Sequence, residues 1–577
     1  MTMSVRTVQA PLVILLVCLA FAFRVYRLDA PGLAEDEVHK ILAVESYREG
    51  EFVVNAEHPM LMKLVLTATF LVADSWNQSF AARLDWPAIS PEFAVRFPNV
   101  VVGSLTTIPI FLLARILLGP VIALISAAFW AIGINAIAFN RIAKEDSLLV
   151  FFVLLAFFFY QKAKTVAPRN ESLESRWYAL SGATFGFALA SKYFPHYLGL
   201  IFLCYYVAKP FNLDRNTHTQ RMRVAFFSAF LAVFLLCNPV ILHPDTWRYL
   251  ATYVSGNMMT HHGYVLMGTL YRNEAPLANQ GTPVYFYLLY LLVKAPVPLL
   301  VLCLLGIVRA VKRCRTDLGH FFVLFMFAAW IIPFSLAGGK WLRYTLSLLP
   351  WVYMLAAIGL VMLADVTIRI WKRTECGPWL GRIVTAAIAG ACFYGMTITS
   401  LKSAPYYSLF VNTIGGGKSK AGSYFPHDEF YDLGLREAVA HVAQSGPHSS
   451  AIYSDADDLV RYYAKRFGRT DLRQASLCRE EPRESATSYV LVQDGRRYFE
   501  NAERIQRIER TFLPEKEVRI GESTAVRIYR IPGRLQAGAV PPSKRQEGPV
   551  LPAPKRILPF GERFPGGSLG LDQMETE

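Results

Sequence analysis

The side chains best suited to chemistry are concentrated between residues 35 and 63, directly after a first apolar run over residues 8–23. They include acids, histidines and lysines: Glu35, Asp36, Glu37, His39, Lys40, Glu57, His58 and Lys63. Carboxylates flanked by cations suit a transfer reaction on a phosphate-linked donor. A carboxylate removes a proton from an acceptor hydroxyl, while Lys and Arg hold the phosphate as its charge develops.

Three further groups of charged residues lie where apolar segments begin or end. Arg96 lies in AVRFPN, Arg141 and Asp146 in NRIAKED, and Lys192 in ALASKYFPH. An ionisable residue near the apolar zone of a membrane protein is a functional hypothesis, because burying a charge is costly unless it is paired or used. In GGKWLRYTL, Lys340 and Arg343 are candidates to add to phosphate binding, or solvated anchors.

The composition indicates that these residues are positioned by membrane helices. The 577 residues are 53% hydrophobic and 13% aromatic, and the mean hydropathy is +0.30, which is too apolar for an ordinary soluble protein. The net charge of +15 does not indicate a nucleic-acid partner, because Lys and Arg lie mainly in loops between apolar runs and in the C-terminal part. That distribution is the positive-inside pattern of a membrane protein.

Hydropathy predicts an all-α polytopic protein with about eleven transmembrane helices. Twelve apolar segments lie near residues 8–24, 60–73, 97–117, 120–139, 147–162, 177–191, 196–209, 222–242, 284–308, 319–337, 341–364 and 381–401. If segment 60–73, which carries Lys63, crosses only partly, four basic clusters fall in the cytoplasm. The first outer loop, residues 25–59, and the C-terminal part then lie outside, as expected for a bacterial inner membrane protein.

After the membrane part, residues 1–401, the pattern changes to that of a small extracytoplasmic α/β domain over residues 402–531. Strands are predicted at 449–454, 488–494 and 525–531, and helices at 431–444 and 455–468. Residues 532–577 are rich in Pro, Gly and basic residues without periodicity, which predicts a disordered tail. Of eight cysteines, only Cys478 lies in this C-terminal part, which excludes an internal disulfide there.

In their order, the motifs resemble those of the protein O-mannosyltransferase and aminoarabinose transferase branch of the GT-C glycosyltransferases. The resemblance spans about residues 8–350. It rests on five motifs. The acidic pair of the first outer loop is matched by Asp36-Glu37, and the acidic-His-Pro motif ending in Lys by EHPMLMK at 57–63. The Arg-led helix is matched by Arg96-Phe97-Pro98, the Arg-x-x-x-x-Asp motif by Arg141 with Asp146, and the Gly-rich hairpin ending in Ser-Lys by GFALASK at 186–192. Met60 departs from the second proline of the mannosyltransferase motif.

The resemblance implies a glycosyltransferase that moves mannose or a similar sugar from a polyprenyl-phosphate carrier to a protein or lipid acceptor, by an inverting single displacement. Asp36 and Glu37 are then the catalytic pair, with Asp36 as general base and Glu37, Glu57 and Arg96 supporting it. The donor and its phosphate are expected to contact Glu57, His58, Lys63, Arg96, Arg141, Asp146, Lys192, Lys340 and Arg343. Because the C-terminal domain has no match to the lectin-like domain inserted in the eukaryotic mannosyltransferases, the acceptor class stays open.

Other interpretations remain for several of these residues. Asp36 and Glu37 also suit an ordinary helix start, His58 a turn before proline, and Lys192 an interfacial anchor. A divalent metal held by Glu57 with His261 and His262 is a further possibility. The alternatives to this activity are a polyprenyl-lipid or solute transporter or flippase, a membrane-anchored binding protein acting through its α/β domain, and a transferase with a lipid A-type acceptor.

Overall fold

A computed structural model describes residues 2–166, 170–213, 220–255, 263–372, 377–482 and 487–533. Up to residue 403 the described chain is almost entirely helical. Its helices are α1 Thr2–Val25, α2 Glu35–Arg48, α3 Met60–Trp76, α4 Ala82–Leu84, α5 Pro91–Leu105, α6 Thr107–Leu118, α7 Pro120–Ile132, α8 Ile134–Asn140, α9 Asp146–Val166, α10 Glu171–Ser191, α11 His196–Ala208, α12 Gln220–Cys237, α13 Pro244–Ser255, α14 Phe286–Lys294, α15 Val297–Arg313, α16 Leu318–Leu336, α17 Leu349–Trp371 and α18 Gly377–Ser403. A short hairpin of β1 Tyr264–Leu266 and β2 Thr269–Tyr271 precedes α14.

Six helices in the described ranges are long and apolar enough to cross a membrane, or seven if the bent pair α7–α8 is one span. The all-α membrane fold is therefore confirmed, with fewer such helices than the eleven crossings expected. The reason is local. Several predicted segments fold as shorter helices, such as α3 and α11, and the segment predicted at 284–308 is divided into α14 and α15 at Ala295-Pro296, where proline disfavours helical geometry in the preceding residue.

Close packing of the helices depends on glycine at particular positions. A Cβ atom at Gly306 in α15 would lie 1.8 Å from the carbonyl oxygen of Leu355 in α17, and one at Gly359 would lie 1.9 Å from that of Leu302. Small residues let helix backbones approach closely in membranes, where apolar side chains gain little by associating with each other. These two glycines therefore set the distance between α15 and α17.

The C-terminal part contains a five-stranded mixed sheet, which confirms the small α/β region. Its elements are α19 Pro426–Phe430, α20 Leu435–Ser445, β3 Ala451–Tyr453, α21 Asp457–Arg466, β4 Arg473–Ala475, β5 Ser488–Val492, α22 Ala502–Thr511, β6 Lys516–Ile520 and β7 Ser523–Ile531. The strand order is β4-β3-β5-β7-β6, with β3 parallel to both neighbours and β7 antiparallel to both of its own. The three predicted strands match β3, β5 and β7, whereas β4, β6 and α22 were not predicted.

The two faces of this sheet bury different partners. Alternate residues of the central strands, such as Ile452 and Leu491, join α20 and α21 in an apolar cluster that continues into α2, α3 and α5. The opposite residues, such as Tyr453 and Val490, pack with α22. Because strand side chains alternate between faces, one face of the sheet forms a shared core with the helices around the first outer loop. Nearly all of the predicted tail, from residue 534 onward, lies outside the described residues.

Candidate active site

Asp36 lies in the first turn of α2, where three acids follow one another. Its side chain is 34% exposed, and its Oδ1 atom lies 2.9 Å from the Nζ atom of Lys144. Its Oδ2 atom lies 3.3 Å from a terminal guanidinium nitrogen of Arg343 and accepts a hydrogen bond of 2.7 Å from the hydroxyl of Tyr431. Three distant parts of the chain thus meet at one carboxylate.

The charges around Asp36 keep it ionised. Burial by itself favours the neutral acid, but the positive charges of Lys144 and Arg343 and the hydrogen bonds from Lys144 and Tyr431 outweigh it, so the pKa of Asp36 lies well below its usual value. The site therefore holds a partly accessible carboxylate between two cations.

Glu37, the neighbour of Asp36, is completely buried. Its carboxylate accepts two hydrogen bonds from the guanidinium of Arg96, at 2.8 and 2.5 Å, and one each from the backbone N–H groups of Ala34 and Ala143, both at 3.0 Å. The remaining guanidinium donors of Arg96 bond the carbonyl oxygens of residues 28, 31 and 32. The two predicted site residues therefore come together as a pair that fixes the first outer loop to α5.

Arg141 also binds backbone carbonyl groups. Its guanidinium donates to the carbonyl oxygens of residues 24, 26 and 27 at 2.7, 2.8 and 3.0 Å, and it lies over the ring of Tyr407. These contacts satisfy carbonyl groups at the end of α1, which have no partner within the helix.

A second charged group lies beside the first and is centred on Glu145. This buried carboxylate forms an ion pair with Lys40, and its Oε2 atom is 3.8 Å from the Nδ1 atom of His58. Burial, together with the nearby lysines, holds the pKa of His58 well below its usual value despite the negative charge of Glu145. His58 is therefore a neutral imidazole at physiological pH.

Glu57 and Lys63, from the same predicted motif, contact different groups. The carboxylate of Glu57 accepts hydrogen bonds from the Asn55 amide and, at 2.8 Å, from the Tyr249 hydroxyl on α13. The Nζ atom of Lys63 is buried and bonds the carbonyl oxygens of Asn55 and His58 at 2.7 and 2.9 Å. Lys63 thus holds the turn that presents Glu57.

Asp146 and Lys192 form a buried ion pair of 2.7 Å between the first residue of α9 and the residue after α10. The Nζ atom of Lys192 also lies 4.4 Å from the centre of the Tyr344 ring and 4.6 Å from that of Phe194. The negative charge of Asp146 acts on Arg343, so this pair borders the group around Asp36.

Lys340 and Arg343 belong to the segment between α16 and α17, but only Arg343 reaches the site. The Nζ atom of Lys340 bonds the carbonyl oxygens of Ser335 and Ala337, at 2.9 and 2.6 Å, at the end of α16. Arg343, in the short 3-10 helix Leu342–Ser347, contacts Asp36, and its Nε–H is buried without a hydrogen-bond acceptor in the described part of the chain.

The predicted metal ligands His261 and His262 lie outside the described residues. Within the ranges that the structure describes, no group of three or more His, Cys, Asp and Glu side chains is arranged to hold a metal ion. Glu57, the third proposed ligand, has its carboxylate in hydrogen bonds to Asn55 and Tyr249.

Sequence reasoning missed three residues of the site. Lys144 and Glu145 lie inside the stretch NRIAKED, between Arg141 and Asp146. Considering every charged residue of this stretch would have identified them. Tyr431 comes from a segment 395 residues after Asp36, and no sequence pattern links it to the first outer loop.

Together these side chains form a cationic site around the partly accessible carboxylate of Asp36. Lys144 and Arg343 contact Asp36, and Lys192 pairs with the neighbouring Asp146. Such an arrangement can attract a phosphate, stabilise a phosphate leaving group and accept a proton from a hydroxyl.

Comparisons with known proteins agree with this chemistry. Residues 57–243 match a family model described as dolichyl-phosphate-mannose-protein mannosyltransferase. That range includes the Arg96, Arg141 and Lys192 motifs and begins after Asp36. No curated protein matches the chain.

Among solved structures, ArnT from Cupriavidus metallidurans in the apo state has a TM-score of 0.50 at 13% identity, with 90% of this chain and 97% of that chain covered. ArnT bound to undecaprenyl phosphate gives 0.49 at 14% identity and the same coverage. The oligosaccharyltransferase AglB from Archaeoglobus fulgidus, in complex with an inhibitory peptide and a dolichol-phosphate, gives 0.47 at 11% identity, with 80% and 64% covered.

The apo ArnT comparison shows a shared fold over nearly the whole of both chains. The family match covers residues 57–243, which is less than half of the chain, and it lies within the membrane part of this fold. The part of the chain that carries the family match is the part that supplies most of the charged residues around the site.

Proposed function

We propose that the protein is a membrane glycosyltransferase of the GT-C type that moves a sugar from a polyprenyl-phosphate carrier to a hydroxyl or amine of a protein or lipid acceptor on the extracytoplasmic face. Asp36 removes the proton from the acceptor, the acceptor oxygen or nitrogen forms a bond to the anomeric carbon, and the bond from that carbon to the phosphate oxygen breaks. Polyprenyl phosphate leaves, and the anomeric configuration inverts in this single displacement.

One observation carries the proposal: Asp36 is 34% exposed and lies between two cations, whereas three acids beside it are buried in ion pairs and Glu35, which is 26% exposed, is paired with Arg496. Glu37 is paired with Arg96, Glu145 with Lys40, and Asp146 with Lys192. Only a carboxylate that can reach both the acceptor and the solvent side of the site can take a proton and release it.

The phosphate of the donor is assigned to Arg343, Lys144 and Lys192. The buried Nε–H of Arg343 has no acceptor among the described residues, and an unsatisfied buried donor costs free energy that a phosphate oxygen would recover. Lys63, Arg141 and Lys340 are instead proposed to position backbone, because their nitrogen atoms bond carbonyl oxygens.

The placement outside the cytoplasm is supported by where the helices begin and end. α9 starts at Asp146 in the site, and its other end carries Lys162 and Lys164. α17 follows the site segment and has Arg369 in its last turn. Basic residues at the ends opposite the site indicate that those ends are cytoplasmic.

The sugar and acceptor are proposed by class alone. Mannose is favoured by the family description that matches residues 57–243, and aminoarabinose on a lipid A-type acceptor is the second candidate because the order of the motifs also resembles that of the aminoarabinose transferases. The charges lie together at one end of the helices, which favours an enzyme over a transporter with charges in the middle of its spans.

The experiment is to measure polyprenyl phosphate released by purified protein from polyprenyl-phosphate-linked mannose and from the corresponding aminoarabinose donor. Asp36→Asn should reduce turnover by roughly 10²–10⁴-fold, since general base catalysis contributes about that much, while donor binding changes little. Asp29→Asn, the same substitution on an exposed residue of the same loop, is the matched control. Equal rates for wild type and Asp36→Asn would remove Asp36 from the mechanism.

A further inference from the structure

A turn between α19 and α20 has an unusual backbone conformation. Tyr431 and the following Asp432 both have positive φ angles, 48° and 63°. Residues other than glycine rarely adopt this left-handed region, and two in succession persist only where surrounding contacts fix them. The hydroxyl of Tyr431, at this point, donates to Oδ2 of Asp36.

The contacts that fix the turn join the C-terminal sheet to the first turn of α2. Arg496 donates to both carboxylate oxygens of Asp432, at 2.8 and 2.7 Å, and to the carboxylate of Glu35 at 2.8 Å. Asp432 also accepts the backbone N–H of Glu35 at 3.0 Å. Glu35 immediately precedes Asp36, so the same network sets the positions of Tyr431 and of the carboxylate that it contacts.

We propose that Tyr431 is a positioning residue for the general base, so that the C-terminal domain completes the active site of this transferase. The inference rests on the proposed function of Asp36. It assigns to the α/β domain a role in the reaction in addition to any role in recognising the acceptor.

The contacts of Asp36 show how its carboxyl group is oriented. Oδ2 accepts a hydrogen bond from Tyr431 and lies 3.3 Å from a guanidinium nitrogen of Arg343 in an ion pair, whereas Oδ1 contacts Lys144 at 2.9 Å. Because the hydrogen bond from Tyr431 is directional and is made to one oxygen, it fixes the rotation of the carboxyl group and thereby the direction in which Oδ1 points.

Tyr431 differs from the other two partners because it carries no charge. Lys144 and Arg343 are the groups that a donor phosphate attracts most strongly, so binding of donor draws them partly away from Asp36. The hydroxyl of Tyr431 remains on Oδ2 and keeps the carboxylate oriented through the displacement. Outside these direct contacts, the titratable groups that face Asp36 among the described residues include His39 of α2, Tyr253 of α13 and Tyr344.

The test compares Tyr431→Phe with Tyr424→Phe. Both variants lose one hydroxyl from the same segment, but the hydroxyl of Tyr424 bonds the carbonyl oxygen of Gly415 at 3.0 Å and does not touch Asp36. The first readout is independent of turnover: the rate at which a water-soluble carbodiimide labels Asp36 at pH 5–6, measured by mass spectrometry on the full-length protein. Carbodiimide reacts with the protonated acid.

Loss of a hydrogen bond to a charged carboxylate raises its pKa by about one unit. Tyr431→Phe should therefore be labelled at Asp36 about tenfold faster than wild type, with Tyr424→Phe unchanged. In the transfer assay, kcat of Tyr431→Phe should fall by about tenfold while the KM for polyprenyl-phosphate-linked sugar stays within about twofold. A purely structural role would lower the active fraction without changing the labelling rate of the folded protein.

The outcomes separate this inference from the proposed function. Unchanged labelling of Asp36 in Tyr431→Phe overturns the positioning role, even if Asp36→Asn abolishes transfer. Faster labelling in a protein whose wild type transfers no sugar supports the contact and refutes the glycosyltransfer assignment instead. Equal labelling increases in both Phe variants would mean that the whole segment had loosened, which also overturns the role of Tyr431.

Discussion

The substitution Glu37→Gln tests whether adjacent acids have different roles. Glu37 accepts four hydrogen bonds through its two oxygens, and two of them come from Arg96. Glutamine keeps one of these oxygens but replaces the other with an NH₂ group. This group is a donor and cannot accept a hydrogen bond from the guanidinium or from a backbone N–H. Arg96 then remains buried without a carboxylate partner, since its other bonds go to backbone carbonyl groups.

Breaking a buried ion pair from one side costs about 3–5 kcal/mol. At roughly 1–2 °C per kcal/mol for a chain of this size, the Tm of Glu37→Gln should fall by about 5 °C. Tryptophan fluorescence during heating of the protein in detergent measures this change. Glu49→Gln, at the exposed end of α2, is the matched control and should shift the Tm little.

Turnover provides the second half of this test. Well below its Tm, Glu37→Gln should retain a transfer rate within about tenfold of wild type, because both oxygens of the buried Glu37 are held by Arg96 and by backbone N–H groups, whereas removal of the general base costs more. The reasoning is refuted if the Tm of Glu37→Gln is unchanged while turnover is lost, since Glu37 would then act in the chemistry.

Two further predictions concern the site cations and pH. Arg343→Lys should raise the KM for the donor by about tenfold, because lysine cannot reproduce the two-pronged hydrogen bonding of a guanidinium. Lys340→Met should leave that KM within about twofold and lower only the Tm. Equal changes in KM for the two variants would contradict the different roles of the two residues. Burial raises the pKa of Glu45 to about 7, against the opposing charges of Lys465 and Arg48, so the folded protein binds more protons than the unfolded chain at pH 5–7 and loses stability as pH rises. The Tm of Glu45→Gln relative to wild type should therefore increase from pH 5 to pH 8. If the Tm values of the two proteins change in parallel with pH, this role of Glu45 is refuted.

Sequence patterns predicted the elements of the site better than its contacts. The apolar runs and the strand at 525–531 follow from hydropathy and alternation over many residues, which local sequence records directly. The charged residues at the ends of apolar segments stand out in the sequence because a charge at the membrane is costly. Which backbone or side chain each cation meets depends on how α1, α5, α9 and α16 end near one another, and no spacing in the sequence encodes that.

Lys63, Arg141 and Lys340 illustrate this limit. Each was expected to bind the donor, and each is found with its nitrogen atoms on backbone carbonyl oxygens at a helix end or turn. Charged side chains that satisfy carbonyl groups and those that bind phosphate have the same sequence context, since both lie where a membrane helix ends. The structure distinguishes them by whether donors remain unsatisfied, as at Arg343.

Asp36 and Glu37 differ, although they are adjacent, because the two sides of α2 on which they lie meet different partners. Consecutive residues in an α-helix point about 100° apart. Glu37 is in phase with the buried Ile41 and Val44, at i+4 and i+7, and therefore lies on an apolar face of α2. An acid in that phase must be paired when the helix packs, and Arg96 pairs with it. Asp36 is in phase with the buried Lys40 and Ala43, but in the first turn of the helix its carboxylate meets Lys144, Arg343 and Tyr431 instead of apolar side chains and stays 34% exposed.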